Sequence, residues 1–154
     1  MTNQVSIRKI RKALRLFERE LDRHKNENCC AGVTFKQCHT LLAIEDEGKT
    51  NVGDLSAVLN LDKSTTSRTV DSLVNLKLVD RIIPEDNRRS TLISLTKTGE
   101  ELCDSINCIN DTYFVEIFKT FTKDEINLFA GLFERTAQNM LEYKVSCECK
   151  KKTK

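Results

Sequence analysis

The chain has 154 residues, 39% hydrophobic and 31% charged, with one proline and five glycines; this excludes a disordered chain and favours long helices over a turn-rich β fold. The formal net charge is only +2, so composition alone does not announce a nucleic-acid binder, and any basic surface must be local. No apolar run is long enough to span a bilayer, and the polar, basic N-terminal stretch lacks the apolar segment of a signal peptide, so the expected location is cytoplasmic, with no membrane partner.

The first predicted helix runs from about Ser6 to Lys25, with Ile10, Leu14, Leu16, Phe17 and Leu21 as its apolar stripe and basic and acidic residues on the other face. It ends near Asn26-Glu27-Asn28, and Gly32 marks a break. Thr34 and Gln37 have capping-box spacing and open a second helix, which turns Phe35, Cys38, Leu41, Leu42 and Ile44 inward and stops at Glu45-Asp46-Glu47-Gly48. A third helix covers about Val52 to Leu59, with Val52, Leu55, Val58 and Leu59 inward. After a break at Asn60-Leu61-Asp62 a fourth begins, packing through Val70, Leu73, Val74 and Leu76. Two β-type runs follow, Val79–Ile83 and Thr91–Leu95, the second anchored by Leu92 and Leu95, around the charged turn Pro84-Glu85-Asp86-Asn87-Arg88-Arg89. Thr96 opens a fifth helix reaching about Phe121, with Leu102, Ile106, Ile109, Phe114, Ile117 and Phe118 on its apolar face. Thr122 and Glu125 form a second capping box and open a sixth helix. Its Ile126, Leu128, Phe129, Leu132, Phe133, Ala137, Met140 and Leu141 exceed one narrow seam, which suggests partial burial against a second subunit.

The fold class predicted is mainly α with a small two- or three-stranded β wing: a winged helix-turn-helix with a helical dimerisation region. One domain covers residues 1–154. The winged helix-turn-helix occupies about 34–96, the dimerisation helices about 4–28 and 96–145, and a flexible basic tail 146–154. A major groove admits an α-helix, and short polar side chains at its start reach phosphates and base edges. Ser64, Thr65 and Ser67 are such residues, Lys63 lies in the same two turns, and Arg68 is long enough for a bidentate contact with guanine or a phosphate clamp. At the wing tip an arginine, Arg88 or Arg89, can enter a narrow minor groove, held in place by Asp86. A hydroxyl-rich helix start is also an ordinary cap, an Arg-Arg turn is also a solvated hairpin tip, and winged helices also serve as protein-interaction modules. The order of elements, with the arginine and the wing following the break, favours double-stranded DNA as the partner.

Two stretches resemble the MarR family of bacterial and archaeal transcriptional regulators. They are Leu61-Asp62-Lys63-Ser64-Thr65-Thr66-Ser67-Arg68-x-Val70-Asp71-x-Leu73 and Asp86-x-Arg88 followed by Leu95-Thr96-x-x-Gly99. The likeness extends from the first helix to the sixth. It implies a homodimer joined by helices one, five and six, with Ser64, Thr65, Ser67 and Arg68 in the major groove and Arg88 in the minor groove. It also implies a palindromic operator and usually repression, relieved by a small-molecule effector. One departure is Lys77, where the family commonly has glycine; lysine there must adopt or avoid a left-handed conformation.

Seven cysteines, an odd number with no sign of secretion, argue against a disulfide framework. Cys29 and Cys30 close the first helix, Cys38 and His39 lie early in the second, and Asp104 and Cys108 share a face of the fifth. Thiolate and imidazole suit zinc and softer ions. Cys103 lies well around the helix from Cys108 and is set apart from this group. The layout is similar to the zinc-sensing branch of the family, with Cys38 in place of a carboxylate and Cys108 roughly where a histidine stands. The softer set extends the expected ions from zinc to cadmium, copper(I) and arsenite. The competing readings are thiol-redox sensing, cysteines that only pack, and a winged-helix interaction or metal-buffering protein that does not read DNA. The Cys147-x-Cys149 tail is a weak further metal site. An enzyme is disfavoured, since only His24 and His39 are present and no nucleophile has an evident base partner or phosphate loop.

Overall fold

The computed structural model describes residues 3–28, 32–83 and 91–143. In chain order the elements are α1 (Asn3–Asn28), α2 (Phe35–Glu47), α3 (Val52–Val58), α4 (Lys63–Asn75), β1 (Val79–Ile82), β2 (Leu92–Leu95), α5 (Lys97–Phe118) and α6 (Lys123–Glu142). No described helix is long and apolar enough to cross a membrane. Within the single domain that the sequence predicts, contacts group into two compact units, residues 1–110 and 111–154.

Local chemistry explains the element starts in the first unit. Thr34 and Gln37 form the capping box of α2: Thr34 N–H donates to Gln37 Oε1 at 2.7 Å and Gln37 N–H to Thr34 Oγ1 at 3.3 Å. The Gln37 amide then donates to Ser72 Oγ at 2.8 Å, tying α2 to α4. Asn51 caps α3, its Oδ1 accepting from the N–H groups of Gly53 and Asp54 at 2.8 and 3.0 Å. The turn between α3 and α4 needs one left-handed residue, and Asn60 supplies it at φ 51°; asparagine tolerates that region better than most side chains.

Leu41 and Ile44 of α2, Leu55 of α3, Val70 and Leu73 of α4, Val79 of β1, Ile93 of β2 and Cys103 of α5 form the core, all essentially buried. Each large aliphatic side chain there contributes roughly 1.5–3 kcal/mol. Three residues expected inward lie outside: Phe35, Val58 and Leu76 are exposed. The inward arc of the short α3 centres on Leu55, with Val52 and Leu59 beside it, and Val58 falls off its edge. On β2 the deepest anchor is Ile93, while Leu92 and Leu95 are only half-buried. The reason is pairing on both edges. Ile93 stands opposite Arg81 in the antiparallel β1–β2 ladder and also exchanges backbone hydrogen bonds with Thr50, at 2.7 and 3.0 Å. The wing is a two-stranded sheet with a third pairing at this one point.

Lys77 adopts the left-handed conformation, φ 59°, at the exit from α4. Its carbonyl accepts the Thr96 hydroxyl at 2.8 Å, joining the end of α4 to the start of α5. A non-glycine residue pays about 1–2 kcal/mol of strain there, partly offset because glycine is freer in the unfolded chain. Lys77→Gly is therefore expected to raise unfolding stability by about 0.5–1 kcal/mol, read from the urea midpoint; a lower midpoint would contradict this account of the turn.

The second unit holds the end of α5 and all of α6. Thr122 and Glu125 form its capping box: Glu125 N–H donates to Thr122 Oγ1 at 3.3 Å and Thr122 N–H to Glu125 Oε2 at 2.8 Å. Phe118 lies between Phe114, Phe121 and Phe129, with ring centroids 6.4, 5.4 and 5.5 Å away, and Phe129 stacks on Phe133 at 5.5 Å. No residue of α6 is buried: Leu128, Phe129, Leu132, Phe133, Met140 and Leu141 all face solvent in the single chain.

Candidate nucleic-acid interface

The site is built on the first two turns of α4. Val70 and Leu73 hold one face of that helix in the core, and Thr66 is buried on the same side. This leaves Lys63, Ser64 and Arg68 exposed and Thr65 and Ser67 half-exposed. All five expected contact residues of α4 thus have accessible side chains at the helix start.

Asp62 organises this start more closely than a simple cap. Its Oδ1 accepts the Thr65 N–H at 2.8 Å and the Ser64 hydroxyl at 2.5 Å, and its Oδ2 accepts the Thr65 hydroxyl at 2.6 Å. The Ser64 hydroxyl, then the Thr65 hydroxyl and the Thr65 N–H, hold the Asp62 carboxyl far below the usual carboxylate range. The charge therefore persists at any ordinary pH. Asp62 fixes the orientation of two of the expected DNA contacts, a role that the cap position suggests but that residue spacing does not reveal.

The wing is fastened to the same helix. Arg81 Nη2 on β1 lies 2.8 Å from Asp71 Oδ1 on α4, with both side chains partly solvated. Such a pair contributes little to stability, yet it links the orientation of β1 to that of α4. Asp71 belongs to the α4 motif and Arg81 to the first strand, but only the folded pairing shows that they meet. Asp86, Arg88 and Arg89, expected at the wing tip, lie in residues 84–90, outside the described residues.

The described residues include only part of the expected cysteine grouping. Cys29, Cys30, Cys147 and Cys149 lie outside the described residues. Cys38 is buried, His39 is exposed with its ring 4.1 Å from that of Phe35, and Asp104 and Cys108 are exposed on α5. Among the described residues no three His, Cys, Asp or Glu side chains gather as a metal-binding group, so the described members of the set do not by themselves fit an ion. Cys103 is wholly buried in the main core, and Cys38 is buried with Ile106 in a second, smaller cluster; Val33, Leu42 and Leu102 pack against both clusters. Burial, then the charges of Glu45, Cys38, Asp104 and Asp46, push the Cys103 thiol up to about 12 from 9.0, and burial also raises Cys38. With its folded value raised, Cys103 contributes stability that is full below about pH 9 and is lost as the pH climbs towards 12. Cys38 and Cys103 are expected to resist iodoacetamide at pH 8 in the folded protein while Cys108 is labelled, and to react once urea unfolds the chain. Peptide mass spectrometry reads the pattern; equal labelling of all three before unfolding would contradict it.

Comparison with known proteins agrees with this geometry. Residues 31–90, which hold α2, α3, α4 and β1, match the sequence model of the MarR family. An HTH-type transcriptional regulator of Bacillus subtilis, YsmB, is 30% identical over 82 residues, 53% of this chain and 56% of its own length. The match thus spans about half of that relative. A MarR family protein from Bacillus stearothermophilus superposes with a TM-score of 0.77 over 92% of this chain and 99% of its own, at 25% identity. A mutant MarR from E. coli complexed with operator DNA shares the fold, with a TM-score of 0.67 over 88% of this chain and 99% of its own, at 22% identity.

Proposed function

We propose that this chain is a sequence-specific DNA-binding transcriptional regulator of the MarR type, a homodimer that reads a palindromic operator through α4 and is released by a small effector; the match of residues 31–90 to the MarR family model and the shared fold support this reading. The observation that carries this reading is the presentation of Lys63, Ser64, Ser67 and Arg68 on the solvent side of a helix capped by Asp62 and tied to its wing by Arg81. Phosphates favour the start of such a helix, where unpaired N–H groups point outward. Arg68, exposed in the second turn, supplies the bidentate donor that guanine N7 and O6 accept. The apolar residues that α6 leaves exposed support self-association, since patches of that kind mark interaction surfaces.

The test is selection from a randomised duplex library, followed by a binding titration of the recovered sequence. The wild type is expected to recover one palindromic site. Arg68→Ala should lower its preference over scrambled DNA by roughly 10- to 100-fold, the equivalent of about 1–3 kcal/mol, with the fold intact. Equal wild-type affinity for all duplexes, or an unchanged preference in the variant, would remove Arg68 and α4 from this role.

A further inference from the structure

The positive charge of this chain is concentrated in one place. Residues 1–17 carry five basic side chains and no acidic one, whereas residues 18–154 carry 20 basic and 23 acidic. Arg8, Lys9, Arg11, Lys12 and Arg15 all lie on α1 and are exposed. At 100° per residue, Arg8, Arg11, Lys12 and Arg15 fall within one arc of the helix. Ile7, Ile10, Leu14 and Phe17 fall on the opposite arc. Among the described residues none of those four cations is in an ion pair; the pairs on α1 lie further along, where Arg19 and Arg23 meet Glu20.

This arrangement works against the helix that carries it. Cations three and four residues apart repel. A bound polyanion removes that penalty. Three of the four cations are arginines, whose planar fork matches phosphate. Arg8 to Arg15 spans about 10 Å of helix axis, the length over which one strand of a duplex presents about three phosphates. A membrane surface fits less well, because a helix lying on lipid inserts its apolar arc, and that arc is the one suited to packing against protein.

We propose that the Arg8, Arg11, Lys12 and Arg15 face of α1 grips the sugar–phosphate backbone of duplex DNA without regard to sequence, as a second contact apart from the reading helix α4. The choice of DNA as the polyanion rests on the DNA-binding reading above.

The test uses the full chain and a variant, R8Q/R11Q/K12Q/R15Q, whose helix content by circular dichroism should be unchanged or higher because repulsion is removed. Affinity for a 60-base-pair duplex of arbitrary sequence is titrated against salt. The slope of log affinity on log salt is expected to fall by about three for each protomer bound, while preference for the selected site is retained. An unchanged slope, or no binding of arbitrary duplex by the wild type, overturns the proposal. So does a variant that keeps its DNA slope but loses binding to phosphatidylserine vesicles or to polyglutamate, which assigns the face to a membrane or to an acidic protein. Failure of the α4 reading is seen separately, as no effect of Arg68→Ala on sequence preference, and leaves the salt slope readable.

Discussion

Gly99→Ala is expected to cost about 3 kcal/mol or more and to leave residues 34–96 poorly folded at 37 °C. Gly99 lies in the first turn of α5, where alanine ordinarily gains about 1 kcal/mol over glycine. Here the sign reverses because of one close approach. A Cβ on Gly99 would stand 2.1 Å from the Leu78 carbonyl oxygen and 3.4 Å from Leu95 Cδ2. The obstacle is backbone, and it is fixed from several sides. Leu78 O also accepts the Thr96 N–H at 3.1 Å, and Gly99 N–H donates to Thr96 Oγ1 at 3.0 Å. Making room therefore shifts the start of α5 away from β1. Gly131→Ala supplies the contrast: nothing lies within 4 Å of the added Cβ, so the same substitution should stabilise by up to about 1 kcal/mol. Urea unfolding of the two variants beside the wild type reads both signs. A harmless Gly99→Ala would mean that α5 is not seated on Leu78.

Leu132→Glu is expected to convert the proposed dimer to a monomer without unfolding it. Leu132 is 45% exposed in the single chain, and α6 has no buried residue, so a charge there disturbs little within the protomer. It falls among Leu128, Phe129, Phe133 and Met140, which line one apolar arc of α6. In a dimer the new carboxylate would be desolvated in that surface, at a cost of several kcal/mol. The DNA consequence is larger than the local one. Two reading helices on one particle make the second half-site contact intramolecular, which adds roughly 10²- to 10⁴-fold in affinity. A monomer by light scattering, with unchanged circular dichroism and at least about 100-fold weaker binding to a palindromic duplex, is the expected outcome. A variant still dimeric at micromolar concentration places the interface elsewhere.

The contrast between what the sequence conveyed and what folding added follows the range of the interactions. Thr34–Gln37 and Thr122–Glu125 are local caps with a spacing rule, and the structure forms both. The break at Asn60 and the left-handed question at Lys77 were likewise local and legible, and Lys77 does take the left-handed form. The depth of Ile93 was not legible, because it depends on Thr50 pairing from 43 residues earlier in the chain. Cys103 was set aside by its angle to Cys108, yet it is wholly buried in the core and within electrostatic reach of Cys38 on α2, a neighbourhood that only the fold creates. Gly99 stood out only as part of a family motif; its physical reason, a backbone approach across 21 residues of chain, exists only in the fold. In the site, the hydroxyls and arginine of α4 could be read from the helix pattern. The hold of Asp62 on two of those hydroxyls and the Arg81–Asp71 tie required coordinates.

The central claim, that the start of α4 reads the major groove, is tested most directly by methylation interference on the selected duplex. Dimethyl sulfate marks guanine N7 in the major groove and adenine N3 in the minor groove. The account predicts that N7 methylation within each half-site blocks the wild type and no longer discriminates for Arg68→Ala. Binding that tolerates N7 methylation throughout the site would contradict it and would leave α4 as a scaffold rather than the reading element.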